Sequence, residues 1–424
     1  GSFILTLALF MLYTLMLIAY YIGFGLTLAD ATANWGGLSA PVWVTLLFVV
    51  QLYFLSRKNL NSTVTSALIV GAVNIVLILL LSMLALPHWQ LTNLAYVNLP
   101  LFNGRPFDGS LLELIFGVIL LAYFGHTSTG NCARVVLRRD PSARSLIWGS
   151  MAATFASIGL YSLWVLAVNG AVAPQSLAQE SGTALVPLAA RVGFSVRILG
   201  AIFATLSMGL ASVHMALGLF YLTQERLPKR THGIGKHSNF LVAVSPILLL
   251  FLLTEWLLLT GRESFTKPLS FTGAITATLV GGIFPILLLV ASRRKGEYAP
   301  GWALQLLGQP FFVALLYLLF LGSLLLHGLV IWQNPLERII AVGVSLLIVM
   351  ATVVMVRRGS FKPRLVVEVR KEQKPGGQAS FTIMDNAKPT NQRKVDAQLP
   401  TVQLYYRRNE QTIQGESGVI PNFT

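Results

Sequence analysis

Residues 121–141 read "LAYFGHTSTGNCARVVLRRDP", an apolar run that gives way to small and polar residues and then to arginines. Phe124, Gly125, His126, Thr127, Ser128, Thr129, Gly130 and Asn131 set hydroxyls, an imidazole and a carboxamide around two glycines. Glycine permits dihedrals closed to other residues, and the polar side chains can satisfy amides and carbonyls freed where a helix is broken. The chemistry of such a block is binding. Amide groups opening a helix at Asn131 would attract a carboxylate, and carbonyls closing the preceding helix would attract an ammonium or other cation. A zwitterion such as an amino acid suits both ends. The alternative is a helix that ends at Phe124 and uses the polar run as its cytoplasmic cap.

Other polar residues stand inside apolar segments, where an ionisable group is costly and so a functional candidate. His214 in "LASVHMALGLF" shares a helical face with Ala211, Leu217 and Gly218 and reads as a proton relay or as a neutral histidine bonded to a neighbour. His126 could couple protons by titrating near neutral pH, or contact substrate while neutral, and contact is the expected role. Glu113 and Glu255 lie near the outer ends of their segments, within reach of water, and read as structural. Asn74 and His327 read as interhelical hydrogen-bonding groups. Cys132, the single cysteine, excludes an intrachain disulfide, belongs to no metal motif and reads as a small buried residue.

The elements that must position these residues follow from composition. The chain is 54% hydrophobic and 11% charged, with a mean hydropathy of +0.68, whereas soluble domains carry roughly 25% charged residues. Its apolar residues fall in runs of about 20, the length a helix needs to cross a bilayer core. Backbone groups have no water partner in lipid, so these runs must be helical, and the alternation of a membrane barrel is absent. Ten spans are expected, over 3–28, 40–55, 64–86, 111–136 with an interruption, 145–172, 195–223, 240–260, 270–291, 311–332 and 336–356. The fourth offers only about 14 apolar residues before "GHTSTGN", roughly 21 Å of helix, so a second half-helix must complete the crossing and the break falls at membrane depth. Irregular backbone there is tolerated only within protein or beside a water-filled cavity.

Every second loop is basic: "SRKNLNS", "ARVVLRRDPSAR", "QERLPKRTHGIGKHS" and "SRRKGE" alternate with loops poorer in lysine and arginine. This pattern places the start of the first span in the cytoplasm, and the segment after Val356 there too. The net charge of +15 therefore serves orientation in a lipid bilayer, and no nucleic-acid partner is expected. The expected domains are a transmembrane part over 1–356 and a cytosolic tail over 357–424, either β-rich or disordered. The chain opens directly into an apolar run with no basic leader and no initiating methionine, so it is expected to begin partway into a longer protein.

On "LAYFGHTSTGNCARVVLRRDPSARSLIWGS", on Tyr161, Trp164 and Gly170 in "YSLWVLAVNG", and on "HMALGLFYLTQERLP", the chain resembles the amino acid/polyamine/organocation transporter superfamily. Within it, the aromatic and hydrophobic amino acid permeases are most similar. The resemblance covers most of residues 111–230, and the hydropathy agrees over 3–356. It implies an all-α LeuT-like inverted-repeat fold in a multi-pass protein of the plasma (cell inner) membrane. If the broken span is the family's sixth helix, the first span here is its third, and two helices carrying the other half of the substrate site would lie upstream of Gly1. The resemblance further implies that residues 124–131 bind substrate, that Tyr20 or Tyr21 faces the cavity, and that Ser207 and Ser212 stand near a coupling ion. No cofactor is implied beyond that ion, H+ or Na+. The alternative for the two tyrosines is an interfacial aromatic belt, and for the serines, hydrogen bonds to their own helix. Thr127, Ser128 and Thr129 replace the family's apolar residues after the break, and the segment after Val356 has no counterpart.

The expected function is ion-coupled secondary transport of an aromatic or hydrophobic amino acid by alternating access. The alternatives are an inactive or regulatory transporter-like protein, a polytopic membrane enzyme, and a channel. No HExxH, GxSxG, paired-aspartate or filter-like motif supports the last two, and no enzyme activity is expected.

Overall fold

The structure is a computed structural model that describes residues 2–33, 36–57, 60–95, 110–123, 133, 136–137, 139–140, 143–180, 182–226, 236–293 and 309–361, with seven strands between 366 and 419. The apolar runs become the long helices: α1 (Ser2–Thr32), α2 (Ala40–Arg57), α3 (Leu60–Ala85), α4 (Ser110–Ala122), α5 (Arg144–Ala171), the short α6 (Leu185–Val192), α7 (Phe194–Arg226) and α8 (Lys236–Thr260), the last continuing through Pro246. They are followed by α9 (Thr266–Thr272), a π-helical segment (Gly273–Ile283), α10 (Phe284–Arg293), α11 (Pro310–Leu326), a second π-helical segment (His327–Ile331) and α12 (Pro335–Arg357). Helix ends follow local chemistry. Pro87 turns the chain out of α3 through the 3-10 turn Leu86–His88, and Gly261, at φ 64°, closes α8 in a conformation that side chains resist.

Among the described residues, eight helices are long and apolar enough to cross a bilayer. They coincide with eight of the ten expected spans. The expected span at 40–55 is a shorter apolar helix, and of the interrupted span at 111–136 only the first half is described as continuous helix, as the 13 residues of α4. Large apolar side chains such as Phe155 and Leu249, each about two-thirds exposed, point outward, as lipid permits and water does not.

The chain divides into two compact units, Gly1–Pro285 with Val313–Val349, and Ile286–Phe312 with Met350–Thr424. The first is organised around α1 and α7, which run antiparallel along their full length. Arg226 donates to the Thr6 hydroxyl at one end, Tyr13 lies against Gly218, Phe24 against Gly209, and Arg197 stands 3.7 Å from Asp30 at the other. Outside this pair, α2 and α8 are also antiparallel: Thr45 donates to Glu255 at 3.1 Å and the rings of Phe48 and Phe251 stack at 4.3 Å. Leu17, Tyr21 and Phe24 of α1, Val44 and Phe48 of α2, Leu219 and Phe220 of α7 and Ile247 of α8 fill the core between the four. A second core joins α3, α5, α6 and α7 through Leu81, Val168, Leu188 and Val196. A third sets Leu12, Met16 and Ala19 of α1 against Leu269 of α9, with Val118 and Leu121 of α4 beside them.

In the second unit, β1 (Val366–Arg370), β2 (Gln378–Asp385) and β3 (Lys388–Asp396) form an antiparallel three-stranded sheet in sequence order. Two further antiparallel pairs follow: β4 (Thr401–Val402) with β7 (Gly418–Val419), and β5 (Tyr405–Arg408) with β6 (Gln411–Gln414).

Candidate functional site

Phe124, Gly125, His126, Thr127, Ser128, Thr129, Gly130 and Asn131 lie outside the described residues, as do Cys132 and the side chain of Glu113. The structure does describe the helix that leads into them. At the end of α4 the Tyr161 hydroxyl of α5 donates to the carbonyl of Ala122 at 3.2 Å. The Tyr161 ring also meets Tyr123 edge-on, with centroids 5.4 Å apart. The last turn before residues 124–131 is thereby tied to α5 through Tyr161, one of the residues that carry the family likeness.

The two tyrosines of "AYYIGFG" diverge, because neighbours on a helix lie about 100° apart. Tyr21 is fully buried in the four-helix core, and its hydroxyl donates to the Gln51 side-chain oxygen of α2. Tyr20 is half-buried on another face, among Leu269 of α9 and Val118 and Leu121 of α4, the helix that runs into the polar block. Tyr21→Phe removes the only donor to Gln51 among the described residues, at a cost of about 1–3 kcal/mol for the orphaned acceptor. Thermal unfolding in detergent should show the loss, whereas Tyr20→Phe removes no interhelical hydrogen bond among the described residues.

The ion-coupling candidates all sit on α7. The Ser207 hydroxyl donates to the Phe203 carbonyl at 2.6 Å, Ser212 donates to Gly209 at 2.7 Å, and His214 Nδ1 lies 2.9 Å from the Leu210 carbonyl. Each is thus bonded within its own helix, the alternative raised for the serines. Ser207 and His214, two turns apart, share a face, while Ser212 lies about 140° round from Ser207 with Ala216 and Phe220, toward the four-helix core. The helix therefore separates Ser212 from the other two. Among the described residues no group of three or more His, Cys, Asp or Glu side chains comes together to hold a metal.

Helix α4 meets α9 without intervening side chains. A Cβ at Gly117 would collide with the Ser270 carbonyl, and one at Gly273 with the Gly117 carbonyl, so the two backbones touch. Directly after this contact α9 passes into its π-helical segment, in which Thr276 and Thr278, like Thr272 just before it, are fully buried. Thr272 donates to Pro268 and Thr276 to Thr272, both at 2.6 Å. His327 is also fully buried, with Phe116 of α4 at 5.1 Å and Trp332 at 5.3 Å between ring centroids. Arg338 of α12 donates to the carbonyls of Gly328 and Leu329 at 3.2 and 3.0 Å, capping the second π-helical segment. Among the described residues His327 makes no interhelical hydrogen bond, contrary to expectation: its Nδ1 bonds Ser323 within its own helix. The Asn74 carbonyl oxygen has no hydrogen-bond partner there either, whereas Glu255 does reach across to Thr45. Sequence reasoning overlooked this threonine-bearing segment. Its only signal was three threonines and three glycines crowded into "FTGAITATLVGGI" inside an apolar run.

The helices define an all-α, multi-pass integral membrane protein. The chain matches no known family model and no curated protein.

Proposed function

We propose that the chain is a secondary transporter of the amino acid/polyamine/organocation type, which moves an aromatic or hydrophobic amino acid by alternating access, coupled to H+ or Na+. The observation that carries this reading is the double antiparallel pairing of α1 with α7 and α2 with α8. Under the numbering that the resemblance implies, these are the third and eighth helices and the fourth and ninth. An inverted repeat relates such helices by an axis in the membrane plane, so counterparts run in opposite directions. The alternating basic loops support the same inversion, since they send α1 outward and α7 inward. On this reading the four-helix cluster is the frame, residues 124–131 are one half of the substrate site, and Tyr20 with Tyr161 flank its approach. The protein would lie in the plasma membrane with the tail in the cytoplasm.

The test is uptake by protein reconstituted in vesicles, with a panel of labelled amino acids and imposed sodium or pH gradients. Accumulation of an aromatic or hydrophobic member that depends on one gradient is the expected result. Uptake no higher than in protein-free vesicles under every gradient, from protein that is folded and full length, would defeat the proposal.

A further inference from the structure

Helix α9 with its π-helical segment packs against α11 with its own. Phe271 of α9 stacks on Trp332 at 5.5 Å, and a Cβ at Gly282 would sit 2.5 Å from the ring of Phe320 of α11, so the two continuous helices run antiparallel. Between these two contacts lie Thr278 on one side and Ser323 and His327 on the other. All three are at least nine-tenths buried. Thr278 Oγ1, Ser323 Oγ and His327 Nε2 have no hydrogen-bond partner among the described residues.

The tautomer of His327 follows from its one bond. Nδ1 lies 2.8 Å from the Ser323 carbonyl, which can only accept, so Nδ1 carries the proton and the neutral ring presents a lone pair at Nε2. That nitrogen requires a donor, and the two hydroxyls can each donate and accept. A buried polar atom left unmatched costs about 1–3 kcal/mol, and three in one seam is more than a helix pair readily tolerates. Water is the smallest molecule that donates to the imidazole while exchanging hydrogen bonds with both hydroxyls. A bare sodium ion fits less well, because its charge would be buried among Phe116, Phe271 and Trp332 with only two oxygen side chains to hold it.

We infer that the seam between α9 with its π-helical segment and α11 with its own is a binding site for ordered water, bridging Thr278, Ser323 and His327. Water in this seam is independent of the transport proposal and is tested without uptake. The full chain in detergent is measured by thermal unfolding as wild type, Thr278→Val and Ser323→Ala. Bridging water predicts a fall of roughly 2–4 °C for each variant, since each strips the water of a partner. With no water, each substitution removes an orphaned hydroxyl and the melting temperature stays level or rises, which overturns the inference. On the wild type, X-ray radiolysis in heavy-oxygen water followed by mass spectrometry should label His327 despite its burial, and an unlabelled His327 overturns the inference as well. A sodium arm separates the other occupant. If sodium chloride raises the melting temperature over equal choline chloride in the wild type but not in Ser323→Ala, the ligand is a cation and the water assignment falls.

Discussion

Gly117→Leu should yield almost no folded, monodisperse protein, while Gly71→Leu, made in the same way, should behave as wild type. At Gly117 the first carbon of any side chain runs into the backbone carbonyl of Ser270, and the reciprocal contact exists at Gly273. A side chain in the way could swing aside, but a carbonyl held in a helical ladder cannot. The whole of α9 would have to withdraw from α4, opening the core formed by Leu12, Met16, Ala19 and Leu269. Ordinary overpacking costs about 1–3 kcal/mol, and a backbone collision repeated along a helix pair should exceed that range. A Cβ at Gly71 would meet nothing within 4 Å, so leucine there adds apolar surface in open space. Fluorescence-detected size exclusion of both variants, followed by thermal unfolding, is the measurement. A monodisperse Gly117→Leu with the wild-type melting temperature would show that the two helices are not packed through these glycines.

The second large effect is on transport. His126→Ala and Gly130→Leu should each reduce amino acid uptake to the level of protein-free vesicles while insertion and melting temperature stay near wild type. Both changes act locally. If residues 124–131 form a break at membrane depth, Gly130 supplies dihedrals that leucine resists and His126 offers one of the few polar side chains within reach of a bound zwitterion. Undiminished uptake in both variants would remove these residues from the substrate site, and would favour the simpler reading of a helix capped at Phe124. Loss of uptake together with loss of folding would be judged on His126→Ala alone, since it only shortens a side chain.

Several features were legible because the bilayer leaves few choices. A run such as 3–28 carries no proline and no charge, and in lipid its backbone can pair only with itself, so α1 could be read directly from composition. The antiparallel course of α1 and α7 was implicit in the alternating basic loops, since each crossing reverses direction. Contacts between helices were not legible. A helix in a soluble protein shows its buried face by where the apolar residues stop, but these helices are apolar on the face toward protein and on the face toward lipid alike. Tyr20 and Tyr21 therefore looked equivalent until Gln51 was found against one and Leu269 against the other.

From the sequence alone came the helical, many-times-crossing class, most span positions and the polar block at residues 124–131, because hydrocarbon penalises unpaired backbone and charge wherever they occur along the chain. Only the tertiary structure decided the four-helix core, the glycine contact between α4 and α9 and the burial of Thr278, Ser323 and His327 between the Phe271–Trp332 and Gly282–Phe320 contacts. Those depend on shape and on which side chains meet across space, and nothing in the spacing of residues 278, 323 and 327 could say that they share a seam.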